Sequence, residues 1–448
     1  MSPLIALALL FVAQAEDEVE TEDGDIVYSA PASDADRLTA LEAEVERLKQ
    51  ERASGAGVPQ PSAVTVMGYV DFGFFAPSGT GAGVAQDFGN EAFPQYQGQF
   101  AWLFYGDLLA PAVNSRGEVA DLGALPGVER FDSINSGGAP GFVVNEVNLT
   151  LRAALGDSVL VLTSLDFMPR TGAHFALGDV FELDLAQLEW MPTEERRLSL
   201  FVGKMEPVIG VEYRQRKARN RFGVTPSLLA RYTTGTPLGF KARAKLFKGD
   251  FLTVAAAVTN GSSTTEQFHF YDEVDSNAGK TVSGRLSVKP FAFFDSAPLG
   301  ELEVGVSGEY GPQDRALDSV EPLWFLGVDV LWHLWRFDLE AQWLRGMAQG
   351  RAVDGAYGLN LNFGAYATLT CRITSLIGVL VRGEVRDAFV FLGSERAYLT
   401  KSWRVTAGVR LTFNQYIALK AEYLFNGEYG GVPQVPNDLF ASSLVLSY

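Results

Sequence analysis

Arg214, Arg216, Lys217, Arg219 and Arg221 place five cations in eight residues, with Glu212 just ahead of them. On an open surface such a run is a solvated face. Inside a water-filled passage with a low-dielectric wall, its field is focused and draws anions. Covalent chemistry finds no comparable cluster. His174, His269 and His333 form no metal-ligand spacing of the His-x-x-x-His kind. No Gly-x-Ser-x-Gly turn, phosphate loop or dinucleotide fingerprint occurs. Cys371 is the single cysteine, which excludes an intramolecular disulfide framework and a cysteine-built zinc site. The residues point away from an enzyme: no catalytic residue, metal or cofactor is expected.

The elements that must carry the cation run follow from composition and periodicity. The chain has 448 residues, 47% hydrophobic and 20% charged, with a net charge of −18. That balance argues against disorder over most of its length and against a nucleic-acid partner, which calls for a basic face. Half of the excess lies in residues 16–52, with 13 Asp/Glu against 4 Lys/Arg. The one long apolar run, Leu4–Ala13, is about half of the roughly 20 residues a spanning helix needs. Ala13-Gln14-Ala15 followed by Glu16-Asp17-Glu18 reads as the end of a secretory signal, residues 1–15.

Residues 16–63 differ in kind from the rest of the chain. After the acidic run, Leu38, Leu41, Val45 and Leu48 keep the 3-4-3 spacing of a coiled-coil seam. Two heptads are too short to be stable alone. They could hold as a bundle tethered by an oligomer, or lie as a solvated amphipathic linker. Ser54–Pro61 is a flexible stop.

From Val64 to Tyr448 the period is two. In Gly239–Phe247, Lys241, Arg243 and Lys245 alternate with Phe240, Ala242, Ala244 and Leu246; in Arg404–Phe413, Arg404 and Arg410 alternate with Val405, Val409 and Leu411. One wall meets water and the other something apolar. The segments run about ten residues, as tilted transmembrane strands do. Sixteen can be laid out, from 64–76 to 439–448, with connectors that alternate short and long. Leu155–Asp157, Lys248–Asp250, Trp335 and Phe413–Gln415 are short; 77–141, 206–236, 261–278, 389–400 and 426–438 are long. The expectation is an all-β chain: residues 64–448 form a transmembrane antiparallel β-barrel of the bacterial outer membrane. Gly98–Asp107 could add strands and bring the count to eighteen.

Phe440, Ser442, Leu444, Leu446 and Tyr448 alternate outward to an aromatic carboxyl terminus. This resembles the signature through which barrel-assembly machinery receives outer-membrane proteins, with Tyr in place of the commoner Phe. Val202-Gly203-Lys204-Met205-Glu206-Pro207-Val208-Ile209-Gly210-Val211-Glu212 resembles the Gly-Lys-x-x-x-Pro-x-Gly-x-Glu segment of phosphate-selective (O/P) porins, and Val66–Asp71 resembles that family's opening strand. The resemblance implies a sixteen-stranded homotrimeric diffusion channel whose third loop, carrying Arg214–Arg221, narrows the pore. It does not name a solute.

By the period-two phasing, the one-sign patches on the lumen face are Lys241, Arg243 and Lys245, with Arg382, Arg386, Arg404 and Arg410. Inward charges taken together, these patches included, nearly cancel at twelve cations against ten anions; with the cation run of the loop added, the expectation is a porin for small hydrophilic solutes with a mild anion preference. Two other readings keep the same barrel. One is a plugged transporter of hydrophobic compounds, with Gly98–Asp107 in the plug. The other is an envelope tether that acts through its coiled coil.

Overall fold

The computed structural model describes residues 64–78, 83–86, 100–103, 140–167, 181–193, 195–260, 279–294, 301–312, 322–352, 355–392, 395–430, 434 and 436–448. Residues 1–15 and the heptad positions Leu38, Leu41, Val45 and Leu48 lie outside them, and the barrel is described by itself.

Its strands are β1 (Val64–Pro77), β2 (Gly83–Gln86), β3 (Phe100–Leu103), β4 (Gly141–Leu155), β5 (Val159–Phe167), β6 (Phe181–Trp190), β7 (Leu198–Lys204), β8 (Leu238–Leu246) and β9 (Leu252–Thr259). They continue as β10 (Thr281–Val288), β11 (Glu301–Pro312), β12 (Pro322–Leu334), β13 (Phe337–Ala352), β14 (Gly355–Arg372), β15 (Ile377–Leu392), β16 (Glu395–Thr412), β17 (Ile417–Glu428) and β18 (Leu439–Ser447). β1 and β4–β18 close one antiparallel barrel of sixteen strands, each paired with its neighbours in sequence. Closure is made by β1, which pairs with β4 on one side and β18 on the other, with Phe72 opposite Leu444.

Gly98–Asp107 does not enlarge the barrel. Its strand β3 pairs with β2 in a separate two-stranded sheet, with Val84 opposite Trp102, so the count stays at sixteen. The long connector expected over 389–400 is also shorter than its sequence suggests. β15 runs to Leu392 and β16 begins at Glu395, so the ladder continues through the expected connector. Phe389, Val390, Phe391 and Leu392 are apolar without a break, and the period-two alternation that marks a spanning strand is lost there although the pairing goes on.

The burial pattern is inverted relative to a water-soluble protein. Val202, Phe240, Val258, Val282, Val306, Leu326, Val381, Val405 and Phe425 are exposed on the strands, while Asp71, Glu146, Asp184, Arg285, Asp329, Glu384, Arg404 and Lys420 are buried inside. A strand wall with this polarity suits lipid outside and a polar lumen within. No helix among the described residues is long and apolar enough to cross a membrane. The chain is a transmembrane barrel of the bacterial outer-membrane kind.

Candidate functional site

The loop between β7 and β8, residues 205–237, folds into the lumen. Its entry depends on Gly203 at the end of β7, where φ is +119° and a side chain would meet the Ala186 carbonyl oxygen at 2.1 Å. Gly210 adopts φ +69° against the Gln342 side chain, and only glycine holds that conformation there without strain. Between them Met205, Pro207, Val208 and Ile209 are buried. The Gly210 amide donates to Ser307 Oγ on β11 at 3.0 Å, and the Val211 amide to Gln342 Oε1 on β13 at 3.2 Å.

The cation run begins within a 3-10 turn, Glu212–Gln215, which holds Arg214. Arg214 pairs with Glu303 of β11 at 3.4 Å, and Gln215 donates to Glu340 of β13. Arg216 grips Asp184 of β6 with both terminal nitrogens. Lys217 reaches Asp166 of β5, Asp184 Oδ2 at 2.8 Å and Glu146 Oε1 of β4 at 3.5 Å. Burial and the adjacent Arg216 press the Lys217 pKa down, and Asp184, Glu146 and Asp166 outweigh them, so it stands above the ordinary lysine value. Nothing in the sequence sets Asp166 apart; the loop after β7, by folding inward, brings Lys217 back across β6 to it. The Ala218 amide then donates to the Tyr69 hydroxyl of β1 at 3.3 Å, and Tyr69 in turn donates to Glu146.

The next limb is held by the opposite charge. Lys420 Nζ on β17 donates to the carbonyls of Ala218, Arg221 and Gly223, the last two at 2.7 and 3.1 Å. Arg410 of β16 donates to the Arg221 carbonyl at 3.0 Å. Arg382 of β15 donates to the Thr225 carbonyl at 2.8 Å and the Pro226 carbonyl at 3.1 Å, and Arg404 of β16 also reaches Pro226. Glu422 of β17 accepts from the Thr225 amide and hydroxyl, each at 2.9 Å. Phe222 and Leu229 seat against Gly378 and Gly364 on the wall, where a Cβ would come within 2.6 and 2.2 Å of them respectively. Inside the loop, Ser227 donates its amide to Glu212 at 2.7 Å; burial, offset by these Ser227 donors, leaves the Glu212 carboxyl above its ordinary pKa.

The lumen cations therefore divide by task. Arg382, Arg404 and Arg410 hold loop carbonyls, and Arg386 is fully buried on β15 opposite Ser402. On β8, Lys241 donates to the Glu206 carbonyl at 2.8 Å, Arg243 meets Glu189 at 3.0 Å, and Lys245 meets Asp250 at 2.9 Å beside the short turn. Lys241 and Arg243 also lie over the Phe201 ring, at 4.5 and 5.1 Å.

Below the loop, toward the short turns, a cavity of about 800 Å³ opens between residues 212–223 and the inner wall of β11–β16. Arg219 and Arg221 line it, with Arg410, Arg372, Glu301, Glu303, Asp338 and Glu340. Its acids are largely engaged: Glu303 with Arg214 and Arg285, Asp338 with Arg372 and His333, Glu340 with Gln215 and Tyr366. Arg219 has no partner among the described residues, and Arg221 donates only to the Arg216 carbonyl.

No protein-family model matches the sequence, and no curated protein matches it. Solved structures do match the fold. The outer-membrane channel DcaP of Acinetobacter baumannii superposes with a TM-score of 0.50 at 12% identity, over 87% of this chain and 99% of that one. An anion-selective porin from Comamonas acidovorans gives 0.49 at 10% identity, over 87% and 99%. OmpF of Salmonella typhi, in complex with daunomycin, gives 0.49 at 9% identity, over 86% and 98%. At these identities the likeness is one of fold.

Proposed function

We propose that this chain is a porin: an outer-membrane channel that passes small hydrophilic solutes by diffusion, with residues 205–237 as its constriction and a mild preference for anions. The observation that carries the reading is the placement of 212–223. This cationic segment lies across the lumen, and its guanidinium groups at Arg219 and Arg221 line the cavity without a carboxylate partner. Charged groups that are fixed, water-facing and uncompensated bias which ions enter, whereas paired ones cancel locally. Passage of this kind requires no covalent chemistry and no cofactor.

The same reading takes the chain as phosphate-selective in type, by the Gly203–Glu212 segment, without fixing the solute. It also takes a homotrimer, assembly through the terminal strand Leu439–Ser447, and export by residues 1–15. Reversal potential in a planar bilayer under a KCl gradient tests it. Steady conductance with an anion-selective offset is expected. Conductance without the offset removes the charge argument and keeps the channel; a folded, heat-modifiable barrel without conductance overturns the porin.

A further inference from the structure

Among the described residues, the outer surface carries an interruption of its apolar character on the sector β13–β16. Trp343, Ala365, Val385 and Trp403 face each other in register across these four strands as one outward row. One step toward the long loops, the next row is polar. Asp387 stands opposite Phe363 on one side and Lys401 on the other. Arg345 sits where β13 and β14 shift register, between the inward Leu344 and Gly346, and its side chain is exposed. Asn362 donates to Asp387 Oδ1 at 2.8 Å, and Lys401 lies 3.8 Å from Asp387 Oδ2. Arg345 has no partner among the described residues. Elsewhere the wall turns Phe240, Val258, Val282, Tyr310 and Phe425 outward.

A cation facing lipid costs about 2–4 kcal/mol at mid-bilayer and close to nothing at the interface, so such a row marks the headgroup level. Tryptophans directly beneath it are the usual companions of that boundary. The row lies on the long-loop side of the barrel, which faces the outside in barrels of this kind. Arg345 on β13 and Lys401 on β16 stand three strand spacings apart, about 14 Å, with one carboxylate between them, and leave a net positive row. Its exposed member is an arginine, whose planar fork matches phosphate oxygens. The lipid that offers phosphate at that level is the phosphorylated glycolipid of the outer leaflet. We propose that Arg345 and Lys401, above Trp343 and Trp403, form a lateral binding row for the phosphate groups of an outer-leaflet glycolipid.

Native mass spectrometry of the detergent-solubilised full chain with bisphosphorylated hexa-acyl lipid A tests the site. The wild type is expected to retain this lipid and to bind the same lipid, enzymatically dephosphorylated, at least about tenfold more weakly, the loss of one or two charge-assisted hydrogen bonds. The pair Arg345→Ala and Lys401→Ala is expected to lose the preference while keeping wild-type conductance, since both side chains lie outside the lumen; Arg345→Lys is expected to restore part of it. Equal retention of the two lipids by the wild type overturns the proposal, and that arm needs no variant to fold. So does a double variant that binds phosphorylated lipid undiminished. A double variant that changes oligomeric state with unchanged lipid per chain would assign the row to a contact between copies instead.

Discussion

Lys217 Nζ lies 2.8 Å from Asp184 Oδ2, a loop ammonium sunk against a wall carboxylate that also receives both ends of Arg216. With Glu146 and Asp166 also in reach, the loop cation is what makes that acidic pocket tolerable. Removing one partner of a buried pair leaves the other charge uncompensated, at a cost of about 3–5 kcal/mol. Lys217→Met is therefore expected to lower the temperature of heat modification and to move the reversal potential toward cations, as the freed carboxylates face the lumen. A variant with unchanged selectivity would mean that the pocket is closed off from the ion path.

The same contact has a pH signature. The Lys217 pKa is raised in the folded protein, so the stability its pairing contributes is fully present below the unfolded lysine value, about 10.4. It is lost only as pH rises through the higher folded value. The stability deficit of Lys217→Met relative to the wild type should accordingly stay constant from about pH 8 to about 10. A deficit that disappears across that range would show that the lysine is not held by these carboxylates.

Arg219 offers the cleanest separation of field from fold, because it faces the cavity and holds nothing. A unit charge at contact distance in water-like surroundings is worth about 1 kcal/mol, or roughly fivefold in relative permeability. Arg219→Glu is expected to lower the anion-to-cation permeability ratio by at least that factor, with unaltered thermal stability. Loss of stability alone would make this arginine a structural one.

The strands were legible because a bilayer enforces what soluble proteins only favour: each outward residue apolar, each inward one free to be charged. Lys241, Arg243 and Lys245 alternate with Phe240, Ala242, Ala244 and Leu246 for that reason, and the structure keeps this register on β8. The extra pairing of Gly98–Asp107 was misleading because an aromatic run has the same local pattern in a barrel and in the small β2–β3 sheet. The cation run was visible as a cluster, but its division was not. Arg216 and Lys217 are consumed by Asp184 and Asp166, on β6 and β5, to which the inward fold of the loop returns them. Arg382 and Arg404 read as lumen charge, yet they spend donors on the carbonyls of Thr225 and Pro226. Backbone acceptors carry no sequence signal, so a cation that holds a loop and one that attracts an ion look alike in one dimension.

Shape holds the loop as well as charge does. Leu229 fills the space left by the missing side chain of Gly364, with a Cβ position only 2.2 Å from its Cδ2. A methyl-sized addition there cannot be absorbed by rotating the leucine alone, since Leu229 is fully buried in the loop. Gly364→Val should push the 227–233 limb off β14, whereas Leu229→Ala should leave it in place around a cavity, at a cost of about 2–5 kcal/mol. If the loop sets the passage, the valine variant will show larger or noisier single-channel steps while the alanine variant keeps wild-type step size and melts earlier. Identical step sizes in all three proteins would place the narrowest point of the channel away from residues 205–237.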